Sequence, residues 1–132
     1  MTLRFEVNGC SLTARDFVAL AEAVWPGKYD LDATEEALRH TINIAAWDES
    51  RLVGCVRVLT DGVYFGTVTE ILVLPEYQRK GIGRELMRLV SQHTPTRLYF
   101  GAQPQAEGFY EAIGCKRGMT SFVIEKARED WS

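Results

Sequence analysis

Histidine and cysteine are scarce in this chain, and each shortage excludes a class of chemistry. His40 and His93 lie far apart, and neither falls in a metal-ligand spacing, so no metal site is expected. Cys10, Cys55 and Cys115 are odd in number and show no C-x-x-C pair, which suits reduced thiols in a reducing, cytoplasmic setting. There is no excess of basic residues: the net charge of −3 argues against nucleic acid as a partner. No apolar run approaches a membrane span, and the N-terminal MTLRFEVNG reads as a strand rather than a leader, so no membrane partner is expected. Internal repeats and low-complexity tracts are lacking as well. What remains is a 132-residue chain with 46% hydrophobic residues, enough for one core and too little for two, so residues 1–132 are expected to form a single domain.

The periodicity assigns most of the elements. Leu3 to Val7 alternates as a short strand, and Asn8-Gly9 turns the chain. Ser11 or Thr13 can cap a helix with Phe17, Leu20, Ala21 and Val24 on one stripe, ended by Trp25-Pro26-Gly27. Asp32 with Glu35 has the form of a capping box and opens a second helix to about Arg39. Ile42–Trp47, Arg51–Leu59 and Val63–Leu74 read as strands of an antiparallel meander, turned by Asp48-Glu49-Ser50 and by Asp61-Gly62. Ile82, Leu86, Leu89 and Val90 recur at helical spacing, Pro95 breaks that helix, and Arg97–Phe100 is a strand placed parallel by its crossover. Gly108–Ile113 forms a short helix stopped by Gly114, and Cys115–Arg117 with Ser121–Lys126 is expected to close the chain as a hairpin. The fold class is therefore mixed α/β (α+β), with a mostly antiparallel sheet in the order β-α-α-β-β-β-α-β-α-β-β.

The chain is organised around Gln78-Arg79-Lys80-Gly81-Ile82-Gly83, where a strand runs through a glycine loop into a helix. Such a junction turns backbone N–H groups toward one point, where the helix dipole favours an anion. A Walker A loop is missing its Lys-Ser/Thr, and the dinucleotide fingerprint fails because Leu86 stands where its third glycine belongs. The pattern that fits is Q/R-x-x-G-x-G/A. Across V-L-P-E-Y-Q-R-K-G-I-G-R-E-L-M the chain resembles the GNAT superfamily of N-acetyltransferases. A second landmark, Gly108-Phe109-Tyr110-Glu111-Ala112-Ile113-Gly114-Cys115, is similar to that family's F-Y-E-x-x-G-F segment, with Cys115 in place of an aromatic.

The resemblance implies acetyl-CoA as co-substrate, without a metal, and direct attack by a primary amine in a ternary complex. It implies that the N–H groups of Arg79, Lys80, Gly81, Ile82, Gly83 and Arg84 receive the pyrophosphate, that Arg79, Lys80 and Arg84 add charge, and that Gln78 donates to the same phosphates. It further implies a strand that parts from its neighbour at a bulge, so that the backbone near Leu72 and Val73 meets the pantetheine arm and a freed N–H at about Val73 faces the thioester oxygen. Tyr110 matches the general acid that protonates the leaving thiolate, although a core tyrosine would read the same. Gln103 stands where the family usually has asparagine. Glu70 is either a base or substrate-binding group, or the ion-pair partner of an arginine such as Arg57. Trp25, Tyr29, Asp30, Asp32 and Glu35 are candidates for the wall that meets a small-molecule or peptide amine. A non-catalytic acyl-CoA sensor of the same fold is the alternative, and a homodimer formed through terminal strands is a further expectation.

Overall fold

The computed structural model describes residues 1–126. Five strands, β1 (Leu3–Val7), β2 (Ile42–Asp48), β3 (Arg51–Thr60), β4 (Gly66–Val73) and β5 (Leu98–Tyr99), form one sheet in chain order. The first three pairings are antiparallel and β4–β5 is parallel, so the expected mixed, mostly antiparallel α/β sheet is what the chain folds into. Among the described residues four α-helices accompany it: α1 (Ala14–Val24), α2 (Leu31–Arg39), α3 (Ile82–His93) and α4 (Glu107–Ala112). None of the helices among the described residues is long and apolar enough to cross a membrane.

The central strand explains the layering. From Leu52 to Val56 every residue of β3 is buried, because both faces of the sheet are covered. One face takes α3: a Cβ on Gly54 would lie 3.2 Å from Ile82 Cγ2 and 3.3 Å from Leu86 Cδ1, so this glycine lets the helix sit against the strand. The opposite face takes α1, where Arg57 lies over the ring of Phe17 at 5.5 Å. Ile44, Val53, Val56, Val58, Ile82 and Leu86 are among the side chains filling the core.

Local chemistry sets the helix ends. Thr13 caps α1, its hydroxyl accepting from Asp16 N–H at 3.1 Å. The cap of α2 is Asp30, which accepts from Ala33 N–H at 2.8 Å, so the helix starts before the expected Asp32 box. After β3 the chain makes a wider loop than an Asp-Gly hairpin. Asp61 Oδ1 accepts from the N–H groups of Val63, Tyr64 and Phe65 at 2.8, 2.8 and 3.1 Å, which keeps those residues out of the strand and delays β4 to Gly66.

The final hairpin is not formed. Residues 115–126 contain no helix, strand or turn, and the segment expected as Ser121–Lys126 is exposed throughout. Alternation marks a segment able to pair; it does not say which edge will pair with it.

Candidate active site

Strand β4 carries the feature that opens the site. Arg57 pairs with Glu70 but Val58 pairs with Val68, so Thr69 is an extra residue, a β-bulge. The bulge changes which side chains face which layer. Val68 shares the α3 face with Val58, and beyond the bulge Ile71 shares it with Val56, while Glu70 and Leu72 turn to the α1 face beside Arg57 and Cys55. On the far side of β4, β5 pairs only at Gly66–Leu98 and Thr67–Tyr99 and then departs. Leu74 N–H donates to Val53 C=O at 2.9 Å, which puts Leu72 and Leu74 in hydrogen-bonded pairs with β3. Ile71 and Val73 therefore direct their N–H and C=O groups to the edge that β5 has left.

A cleft of about 910 Å³ occupies this gap. It is lined by Glu70, Ile71 and Val73 from β4, by Gln78, Arg79, Gly81, Gly83 and Arg84 from the loop and α3, and by Phe100, Gln103, Phe109 and Tyr110 from the opposite wall. Most of the residues singled out from sequence are thus brought together. Of the catalytic and cofactor-binding candidates three are not on its lining: Ile82 and Leu72 are buried, and Lys80 is exposed at the loop tip.

The loop is suited to an anion. Arg79 and Gly81 adopt left-handed conformations, with φ of 63° and 87°, and Gly81 caps α3 with no side-chain hydrogen bond. The first N–H groups of α3 are consequently left without intrahelical or side-chain partners. Among the described residues Arg79, Lys80 and Arg84 form no salt bridge, whereas the neighbouring Arg88 is paired with Glu85 and Arg51 with Glu76. Gly83 keeps the floor low: a Cβ there would lie 3.2 Å from the Phe109 ring. Gln78 is turned differently from its expected role, its Nε2 donating to Val73 C=O at 3.0 Å, so it closes the end of β4 with one of its two donor hydrogens.

Tyr110 stands on α4 between two rings, edge-on to Phe100 at 5.0 Å and to Phe109 at 5.1 Å. Burial, with a smaller effect of Cys115, pushes its phenol above the ordinary value of 10.0, so it is a proton donor throughout the neutral range. The three thiols are poor nucleophile candidates. Cys55 is buried and pushed up to about 12, Cys115 is raised by burial, and Cys10 is exposed away from the cleft.

Glu70 is committed to Arg57 through Nε–Oε2 and through Nη2–Oε1 at 2.9 Å. The pair also borders a second chamber of about 620 Å³, walled by Phe17, Trp25, Tyr29 and Asp30. Trp25 and Glu70 line both cavities, so the two meet there. Tyr29 donates its hydroxyl to Trp25 C=O at 2.8 Å, which holds the loop between α1 and α2. Asp32 and Glu35 were grouped with this wall from sequence, but they line a separate depression with Leu12 and Arg15. The register of α2, set by Asp30 as its cap, turns them away. Phe100 and Phe109 were missed as lining residues, although the F-Y pair of the second landmark was the available signal.

A family model described as an acetyltransferase (GNAT) domain matches residues 13–124. This chain belongs to the GNAT acetyltransferase family. A Gibberella zeae protein provisionally named an acetyltransferase is 32% identical over 89 residues, covering 52% of this chain and 49% of that protein. Histone acetyltransferase TAP1 of Glycine max is 26% identical over 124 residues, covering 81% of this chain and 53% of its own. The chain spans about half the length of these curated relatives. Among solved structures, the GNAT family acetyltransferase SP0256 of Streptococcus pneumoniae TIGR4 has a TM-score of 0.78 at 24% identity, with 96% of this chain and 100% of that chain covered. AAC(6')-Iy, solved with the bisubstrate analogue CoA-S-monomethyl-acetylneamine, has a TM-score of 0.74 at 15% identity, covering 97% of this chain and 100% of that chain. The fold of this chain is common to these two solved structures.

Proposed function

We propose that this GNAT domain transfers the acetyl group of acetyl-CoA to a primary amine, by direct attack with both substrates bound. The observation that carries the reading is the Thr69 bulge and the departure of β5, which leave a bare strand edge leading to the open end of α3. Acetyl-CoA supplies the activated acyl group when bound. The N–H groups of the segment from Arg79 to Arg84 hold its pyrophosphate, with charge from Arg79, Lys80 and Arg84. The N–H and C=O of Ile71 and the N–H of Val73 meet the pantetheine arm as a further strand would, and the Val73 N–H donates to the thioester carbonyl oxygen. Leu72 holds this edge in register from the core side, and Ile82 does the same for the first turn of α3. Gln78 spends its remaining donor on the phosphates, and Gln103 reaches the pantetheine amide.

Tyr110 protonates the departing thiolate. Its raised pKa keeps the phenol protonated, so Tyr110 is expected to add no alkaline fall in rate below about pH 10. The amine enters through the chamber under Trp25 and Tyr29 and meets Glu70, which orients the ammonium; with its carboxylate already bridged to Arg57, Glu70 is a positioning group, and water carries the proton away. The AAC(6')-Iy complex, in which one molecule joins CoA to an amine, supports a shared cleft.

Thermal unfolding with and without acetyl-CoA, followed by thiol release with an amine panel, tests the proposal. At a hundredfold excess over the dissociation constant the native state should gain about 2.7 kcal/mol. Tyr110→Phe should keep that gain and lose roughly 10²–10⁴-fold in thiol release. A Tyr110→Phe variant as active as wild type would remove the acid from the mechanism. Ligand stabilisation without turnover of any amine would favour the sensor reading. No stabilisation at millimolar acetyl-CoA would end both.

A further inference from the structure

The chamber between α1 and α2 has walls that are mostly apolar. Phe17 and Leu72 are buried in them, and Ala33 and Ala37, one turn apart on α2, present only methyl groups. Its volume of about 620 Å³ lies within the roughly 300–1,000 Å³ of sites that enclose small organic molecules. Where it meets the larger cleft stands Trp25, 53% exposed. The backbone of Trp25 is fixed: its N–H donates to Ala21 C=O at 2.7 Å, and its C=O accepts from the Tyr29 hydroxyl at 2.8 Å. A large aromatic side chain is thus anchored at its root and left uncovered at the junction of the two cavities.

The charges around the chamber favour one cation inside it. Glu70 and Arg57 form a neutral, well-shielded pair. Both Glu70 oxygens accept from Arg57, and each keeps a further acceptor site, so one ammonium can join them. A second ammonium in the interior would meet the Arg57 guanidinium or lie unpaired among apolar side chains. Among the described residues the other carboxylates of the lining are Asp30 and Glu36, both exposed to water, where their attraction is screened. They are also engaged, Asp30 by the Ala33 N–H and Glu36 by Arg39 and His40.

We infer, on the acetyl-transfer reading above, that the acceptor is a compact monoamine, with one primary amine on a short alkyl chain that ends in an apolar, ring-sized body. The body fills the chamber against Phe17, Tyr29 and Trp25, and the ammonium lies at Glu70. Polyamines and amino sugars are poor acceptors, because each would bring unpaired charges or unsatisfied hydroxyls into the apolar wall.

Thiol release from acetyl-CoA tests this with matched amines: hexylamine against its terminal diamine, phenethylamine against ethylamine, and spermidine as the polycation. Hexylamine should exceed the diamine by about tenfold or more in kcat/KM. The ring of phenethylamine should add at least about 100-fold over ethylamine. Ala37→Phe narrows the chamber from an exposed position, so it should keep the wild-type thermal midpoint and its rise with acetyl-CoA. With phenethylamine it should lose about tenfold or more in kcat/KM. Calorimetric titration with phenethylamine, with and without coenzyme A, separates acceptor choice from transfer. Binding that Ala37→Phe weakens, without turnover of any amine, would uphold the monoamine site and end the transfer reading. Turnover led by spermidine or the diamine would keep transfer and overturn the monoamine site. An Ala37→Phe variant equal to wild type with phenethylamine would overturn it too, as would a protein that neither binds nor acetylates that amine.

Discussion

Glu70 was readable from sequence as an acid in an apolar strand but not as a structural or a catalytic one. Its side chain and that of Arg57 are 15% and 17% exposed, so each charge depends on the other. Glu70→Gln should destabilise the fold by about 1.5–3 kcal/mol in urea unfolding, the usual worth of a hydrogen bond to a charged group. The double change Arg57→Met with Glu70→Leu should recover most of that loss, since no unpaired charge is left in the wall. If Glu70→Gln unfolded at the wild-type urea concentration, the carboxylate would be serving the amine alone. Tyr110 was more legible, because the F-Y pair and Gly114 fix it on a short helix, and Gly114 does adopt φ of 95°. Its neighbours Phe100 and Phe109 were not, because an aromatic on a strand or a short helix has the same pattern in a core as in a cleft.

The loop before α3 shows what an element's ends require. Gly81 sits at φ of 87° with nothing within 4 Å of a Cβ, whereas Gly83 is helical and faces Phe109. Gly81→Ala should therefore cost about 1–2 kcal/mol from backbone conformation alone. Gly83→Ala should be closer to neutral in stability, since the helix gains roughly 0.5–1 kcal/mol from alanine while the Phe109 ring must yield a few tenths of an ångström. Denaturant titration of the two variants checks the contrast. Equal losses would mean that contact, not dihedral angle, sets the requirement. The spacing of these glycines was legible for that reason: steric demands at a strand–helix junction leave few residue choices. The capping of α2 was less so, because Asp30 and Asp32 are equally able to accept from an N–H and only the chain's entry angle decides between them.

For the molecule as a whole, the alternation and turn chemistry were sufficient for the β2–β3–β4 meander, because strands joined by short turns have few other arrangements. By contrast β1, separated from β2 by α1 and α2, had no such signal to place it. The length of β4 was misread because Asp61 binds three consecutive amides, a side-chain preference that competes with strand pairing. The same carboxylate makes stability sensitive to acid. Its pKa is lowered below 3.8 by those N–H groups, and that of Asp48 by the Tyr77 hydroxyl and then the Thr2 N–H. A carboxyl with a depressed folded pKa stabilises above its unfolded value and loses that contribution as pH falls through the folded one. The thermal midpoint should thus hold from neutral pH to about 4 on account of these groups and drop below it. Asp61→Asn combined with Asp48→Asn should flatten that drop; a drop of unchanged depth would assign it to other carboxylates.

The bulge at Thr69 can also be regarded as a counter. Strand residues are assigned to faces by parity, and one supernumerary residue advances the count for everything after it. Thr69 itself is exposed, and its hydroxyl reaches only Arg57 C=O at 3.3 Å, so Thr69→Ser or Thr69→Val should be tolerated in expression and melting assays. Removing the residue altogether would leave Glu70 opposite Arg57 and Ile71 opposite Val56 as they are, so the protein should still fold. Without the kink of the bulge, however, it should lose its stabilisation by acetyl-CoA, read as the ligand-induced rise in the thermal midpoint. At this position the gene would then be under selection for reading length and nearly indifferent to spelling, a signature that a scan of substitutions would overlook and a scan of single-codon deletions would expose.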